Sequence, residues 1–399
     1  MTNHLKKLTI NTALCDMTGL TEDSLAPYSR MEINASVIVL STEAKKLLTR
    51  IPVAMNAAAI VQVAEGTQIS IKNGKFEIAG GEAPQQPTLL MVNGKLIIRT
   101  GSQETLKGYA GIQVNGKVLY PKSLEGLMAR VQINGKSVAY PDEAILIDGK
   151  LRVDALFILR AKDALYFVTG SVAIAEENLD IQALLQKGVR FMTDKAYLNE
   201  KALAHALPLF DDKTQITSIP QGFAFVEEAE TLADDLIRQH GAKLFIPNNL
   251  VIEDNQEGTL KKLEGLIVTG SVTLPLHLQD AFLATRPQYK KLKTYKGRLL
   301  RDRGTLTIDP HMLRQHPEGL TVEDCGAVTL EEAISGQDIL EMLTLRDCGA
   351  VLCHEGQKSA LEQVSSDVGA IRVIGQNPQE ETQEEEIPRE TINTAYYAF

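Results

Sequence analysis

The sequence predicts an α/β solenoid: stacked strand–turn–strand–helix units of about 20–27 residues, more purely β between about residues 65 and 150. Three observations predict it. The first is a recurring phrase of aliphatic, Asn or Asp, small residue, aliphatic. It reads Ile10-Asn11-Thr12, Ile33-Asn34-Ala35 and Met55-Asn56-Ala57, then Asn73-Gly74, Asn93-Gly94, Asn115-Gly116, Asn134-Gly135 and Asp148-Gly149, with gaps of 23, 22, 17, 20, 22, 19 and 14 residues. A second form continues at Gly170, Asp194, Gln221, Asn248, Gly270, Gly297, Asp324 and Asp347, 22 to 27 residues apart. The second observation is a near-copy: Leu320–Val328 and Leu343–Val351 match at seven of nine positions, 23 residues apart. The third is Val168-Thr-Gly-Ser-Val172, which returns unchanged as Val268–Val272.

Each unit is justified by local chemistry. Leu165–Val168 and Ser171–Ile174 are β-rich and flank Thr169-Gly170. Asn, Asp and Gly are the residues that tolerate the positive φ of a tight corner. Asn178–Lys187 has helical apolar spacing and stops before Gly188, a C-cap residue. Helices are likewise predicted over Glu43–Ile51, Ser123–Ala129, Glu200–Leu207, Glu227–Gln239 and Leu330–Met342. In the first part, Asn-Gly between apolar runs is also the strongest local signal for a two-residue hairpin, as in Leu89–Val92, Asn93-Gly94, Lys95–Ile98. Asn34-Ala35 and Asn56-Ala57 occupy the same slot, however, and Ala disfavours the second positive φ of that turn. A corner in a stack is therefore the preferred reading, with stacked hairpins as its rival. The corner Asn side chains are expected to satisfy backbone groups.

On these residues the chain resembles leucine-rich-repeat-like α/β solenoids, with a β-helix-like first part, although a regular Leu-x-x-Leu-x-Leu spacing is missing. Its Asn-Gly-Lys and Thr-Gly-Ser-Val phrases are similar to those of uncharacterised bacterial repeat proteins, a resemblance that implies no activity. The Thr-Gly-Ser-Val phrase also resembles bactofilins, helix-free β-solenoid polymers, from which this chain departs by its helices.

The domain reading is a continuous repeat region over residues 1–375, β-rich to about 150 and helix-containing from about 151. An acidic tail over 376–399, read as disordered, follows it. The tail carries six acids against Arg389, a net of −5 and half the chain's −10. It ends in Tyr396-Tyr397-Ala398-Phe399. No apolar run reaches the roughly 18–20 residues of a membrane span, so no membrane association is expected. Four cysteines and no apolar segment after Lys6-Lys7 predict a cytoplasmic protein without a signal peptide.

Candidate contact residues lie in two places. The run Tyr289–Arg303 holds seven cations, Lys290, Lys291, Lys293, Lys296, Arg298, Arg301 and Arg303, against the single acid Asp302, with Tyr289 and Tyr295 interleaved. Its plain reading is a solvated outer face, and as a contact surface it suits an acidic peptide better than nucleic acid. The second candidate is Tyr396, Tyr397 and Phe399, read as a partner motif or as an anchor. Cys348, Cys353 and His354 match no standard zinc spacing, so packing cysteines are expected and no metal. No phosphate loop, dinucleotide fingerprint or nucleophile elbow occurs, so no catalytic residue and no cofactor are assigned. The expected function is a non-enzymatic scaffold that binds another protein through its surface or its tail. Self-assembly of open ends into oligomers or filaments is the second reading, and an active site gathered across units the third.

Overall fold

The computed structural model describes residues 5–81, 83–374 and 388–399. The protein is α/β, 24% helix and 46% strand, so strand ladders rather than helix packing organise it. The chain divides into two compact units, one of Met1–Ile147, Ala164–Phe167 and Glu380–Phe399, the other of Asp148–Asp163 and Val168–Gln379. Among the described residues, no helix is long and apolar enough to cross a membrane.

The first unit holds two four-stranded parallel sheets. One contains β1 (Lys6–Asp16), β2 (Tyr28–Ser41) and β3 (Val53–Val63), with the C-terminal strand Arg389–Ala398 added outside β1. The other contains β4 (Gln68–Ile78), β5 (Thr88–Ile98), β6 (Gly111–Pro121) and β7 (Val131–Tyr140) in sequence order. The register sets Asn73, Asn93, Asn115 and Asn134 opposite one another, and Asn11, Asn34 and Asn56 likewise. Asn-Gly therefore sits in mid-strand, and β5 pairs in parallel on both sides. The rival hairpin reading is corrected accordingly. A two-residue hairpin would need antiparallel partners before and after Asn93-Gly94, and both flanks belong to one through-going strand.

Alternation decides what each strand buries. In β5, Leu90, Val92, Leu96 and Ile98 join a core with Ile112, Val114 and Val118, closed by Leu106 and Leu124 from short helical segments. The opposite face sends Leu89 and Met91 against Leu14, Val37, Val39, Val61 and Val63, packing the two sheets on each other. The first sheet builds its own core from Leu8, Ile10, Ile33 and Ile38, covered by Thr42–Leu47 and the turn after it.

The tail reading is corrected at its end. Residues 375–387 lie outside the described residues, but Arg389–Ala398 is a strand in nine register pairs with β1. The physical reason is local: Ile392, Tyr397 and Phe399 have an apolar edge to cover, and they pack on the first sheet's core. Of the tail's acids, Glu390 pairs with Lys6 at 3.3 Å.

The second unit repeats the theme with shorter strands. Arg298–Arg301, Leu320–Glu323, Leu343–Arg346 and Ser365–Ser366 form one parallel sheet, and Thr305–Ile308, Ala327–Leu330, Ala350–Cys353 and Ala370–Val373 another. The near-copies noted in the sequence lie in register, Leu320 opposite Leu343 and Val328 opposite Val351. Helices Pro310–Gln315, Gly336–Met342 and Lys358–Val364 follow successive units. The predicted helix over Glu227–Gln239 shrinks to Asp234–His240, because Val226, Ala229 and Leu232 are used as buried loop contacts.

Between the paired strands the chain turns at Asp302, Asp324, Asp347 and Asp367, all with φ between 52° and 56°. Asp tolerates this left-handed corner, at the cost of stacking carboxylates on neighbouring units. Partial burial raises the Asp324 pKa; Glu323, Asp347 and Asp302 add to the rise and Lys293 opposes it. A carboxyl raised in the folded state stabilises the fold below its unfolded pKa, and that contribution is lost as pH rises through the folded value. Asp324→Asn keeps the corner and removes the charge. It is expected to be slightly more stable at neutral pH, by about 0.5 kcal/mol or less because the group is solvent-screened. The gain should fade in acid; a stability gap that widens between pH 7 and pH 3 would contradict this reading.

Candidate functional site

The first unit contains a cleft of about 650 Å³. Its chemistry follows from the alternation just described. One wall is the small and aliphatic face of the first sheet: Ala13, Leu14, Ser36, Val37 and Ala59, with Ala395 and Tyr396 of the C-terminal strand. The other wall is the face of the second sheet turned toward the first, where Ile71, Met91 and Gln113 precede the corner residues Asn73, Asn93, Asn115 and Asn134. No acid or base is among the lining residues.

The corner amides are not spent on backbone groups, as the sequence leads one to expect. They bond one another side chain to side chain. Asn93 Nδ2 donates to Asn73 Oδ1 at 3.0 Å, and Asn115 Nδ2 to Asn93 Oδ1 at 2.9 Å. In the first sheet Asn56 donates to Asn34 at 2.8 Å, Asn34 to Asn11 at 2.9 Å, and Asn11 to Asn393 at 2.8 Å. A primary amide has two donor hydrogens and two acceptor lone pairs. Each of these ladder bonds occupies one donor hydrogen and one lone pair, so an inner member such as Asn93 keeps capacity for one further bond of each kind. At Asn248 the expectation holds, since its Nδ2 reaches the Glu227 carbonyl at 2.5 Å.

Gln113 is the residue that sequence reasoning missed. It is 4% exposed, lies on the cleft wall, and its Oε1 has no hydrogen-bond partner among the described residues. A buried orphan acceptor costs about 1–3 kcal/mol, and the residue that carries it lines the cleft. Its register neighbours are Met91, which is apolar, and Gln132, so the Gln recurs in sequence ahead of two Asn-Gly-Lys phrases, but only burial sets Gln113 apart. Two residues past each Asn, the lysines Lys75, Lys95, Lys117 and Lys136 also stand in register, a cationic column beside the amide ladder.

The expected contact residues are placed as follows. Gln288–Tyr295 is a strand paired with Gly265–Pro275, and Arg298–Arg301 is a strand in the next sheet. Tyr295 is buried, with its hydroxyl 3.5 Å from the Ile252 carbonyl. Lys293 bridges Glu323 at 2.5 Å and Asp347 at 2.9 Å; burial lowers its pKa, but these carboxylates win and raise it. Arg301 lies 3.3 Å from Asp302. Tyr289, Lys290, Lys291, Lys296, Arg298 and Arg303 are exposed, with the Tyr289 ring 5.6 Å from Phe282. Of the C-terminal aromatics, Tyr397 and Phe399 meet edge-on at 5.0 Å and pack on the core. Tyr396 lines the cleft and donates to Asp16 Oδ2 at 3.1 Å; burial and the neighbouring Asp16 carboxylate raise its pKa.

The cysteines pack. Cys325 and Cys348 are 2% exposed, Cys353 and Cys15 are fully buried, and burial pushes the Cys15 thiol up to about 12. Among the described residues no group of three or more His, Cys, Asp or Glu is arranged to hold a metal ion. No protein-family model, curated protein or solved structure matches this chain.

Proposed function

We propose that this protein is a repeat scaffold of the solenoid type, and that the cleft of the first unit binds an extended, acid-bearing segment of another protein. The observation that supports this reading most directly is the buried, unpartnered Gln113 Oε1 beside a row of amides. Amide side chains offer donor and acceptor together, the pair of groups that a peptide backbone presents. Ala13, Ala59 and Ala395 leave room for a partner's side chains, and the lysine column lies two residues further along the same strands, outside the cleft lining, where an acidic flank of the segment would reach it. A neutral, amide-rich, partly apolar wall suits binding better than acid–base chemistry. The chain has no Trp to serve as a sugar platform.

A photo-crosslinking amino acid at Ser36, on the cleft wall, is expected to capture a protein in cells and to lose it in the Gln113→Leu background. Capture should also weaken as salt rises, since exposed charge pairs are screened beyond about 8 Å at physiological ionic strength. The same crosslinker at Lys291 tests the exposed basic strand. Adducts at Lys291 with none at Ser36 would move the site to that strand and overturn the cleft assignment.

A further inference from the structure

The amide ladder of the first sheet has a direction. Asn56 donates to Asn34, Asn34 to Asn11 and Asn11 to Asn393. Among the described residues, the ladder therefore ends in an unused acceptor, Asn56 Oδ1, on β3, and in an unused donor, Asn393 Nδ2, on the C-terminal strand. Among the described residues both strands are sheet edges, each paired on one side only. The apolar columns end the same way. In the column Ile392–Ile10–Ile33–Met55 the two middle residues are fully buried while Met55 is 37% exposed. In Tyr397–Cys15–Ile38–Ile60 the middle pair is again fully buried and Ile60 is 49% exposed. Met55 and Ile60 border a second cleft, of about 570 Å³, with Leu40, Leu48, Ile51 and Val53.

We infer that these two edges are each other's partners: β3 of one copy accepts the C-terminal strand of a second copy of this chain, in parallel and in register. Asn393 would donate to Asn56, Ile392 and Tyr397 would cover Met55 and Ile60, and Tyr396 would stand over the small Ala59. Each contact repeats one already made between neighbouring strands of the same sheet. The occupant is a second copy because the missing groups at one edge are those in surplus at the other. The second sheet supplies the contrast. Its β4 edge carries Lys72, whose ammonium lies 5.5 Å from the Phe76 ring centroid, a charged cover of the kind that blocks edge pairing. An interface that joins different edges of identical chains is head-to-tail, and grows unless it closes into a ring.

The test is sedimentation velocity on the full chain, with two single variants and their mixture. Asn393→Asp keeps the acceptor for Asn11 and removes the outward donor; Ile60→Lys puts a charge on the exposed β3 edge. The wild type is expected to form a concentration-dependent series of oligomers. Each variant alone should associate at least about tenfold more weakly, the scale of one unsatisfied polar group or buried charge. An equimolar mixture should stop at a dimer, because the variants together hold one intact pair of edges. That dimer would also show that both variants are folded. A wild type that stays monomeric at every concentration, variants that associate like the wild type, or a mixture that stays monomeric would each overturn the inference.

Discussion

Gly116→Ala is expected to destabilise the first unit by about 4 kcal/mol or more, at the rare upper end of single substitutions. A Cβ at this position would lie 1.9 Å from the Gly94 carbonyl oxygen, an atom of the neighbouring strand that cannot step aside, and φ is +142°. Gly74→Ala is the matched control. It has the same Asn-Gly-Lys context and a positive φ of +85°, but no atom within 4 Å of its Cβ. It should cost about 1–2 kcal/mol, the backbone strain alone. Urea denaturation followed by circular dichroism measures both. Equal losses would mean that strand-to-strand approach at the corner contributes nothing.

Truncation after Ile374 is expected to cost the first unit about 3–6 kcal/mol. It removes nine register pairs and the half-buried Ile392, Tyr397 and Phe399, and one large apolar side chain contributes about 1.5–3 kcal/mol when fully buried. Cys15 reports on this locally, because Tyr397 is its register neighbour and its thiol is buried. In the full chain Cys15 should resist thiol-labelling reagents; in the truncated chain it should label much faster, with Cys353 unchanged. An unaltered Cys15 rate would show that the C-terminal strand does not seal the first sheet. The same truncation bears on crosslinking at Ser36, since it removes Ala395 and Tyr396 from the cleft wall.

Much of the local plan is legible in the sequence. The Asn and Asp corners, the near-copies at Leu320 and Leu343 and the helix over Ile181–Gln186 can be read there, because each depends on residues a few positions apart. The C-terminal strand was legible as well, in a place composition obscured. Thr9-Ile-Asn-Thr-Ala13 recurs unchanged as Thr391-Ile-Asn-Thr-Ala395, and the two segments pair in register. The acids of the tail dominate its composition, and the repeat hides in five of its residues.

The candidate site was far less legible. Gln113 differs from its column neighbour Met91 only in polarity, and its missing partner is a property of its surroundings. The basic run reads as one patch in sequence, yet the structure divides it between two sheets, buries Tyr295 and engages Lys293 with two carboxylates.

The sequence by itself determined where the backbone takes a positive φ, at the Gly of Asn-Gly in the first unit and at the Asp corners in the second. It also determined which face of each strand is apolar, because left-handed tolerance and alternation are both properties of neighbouring residues. Only the tertiary structure decided that the corner amides bond one another, that strands at opposite ends of the chain pair, and that a cleft opens over Gln113. Those depend on which strand lies about 4.8 Å away across the sheet, and separation along the chain does not specify it.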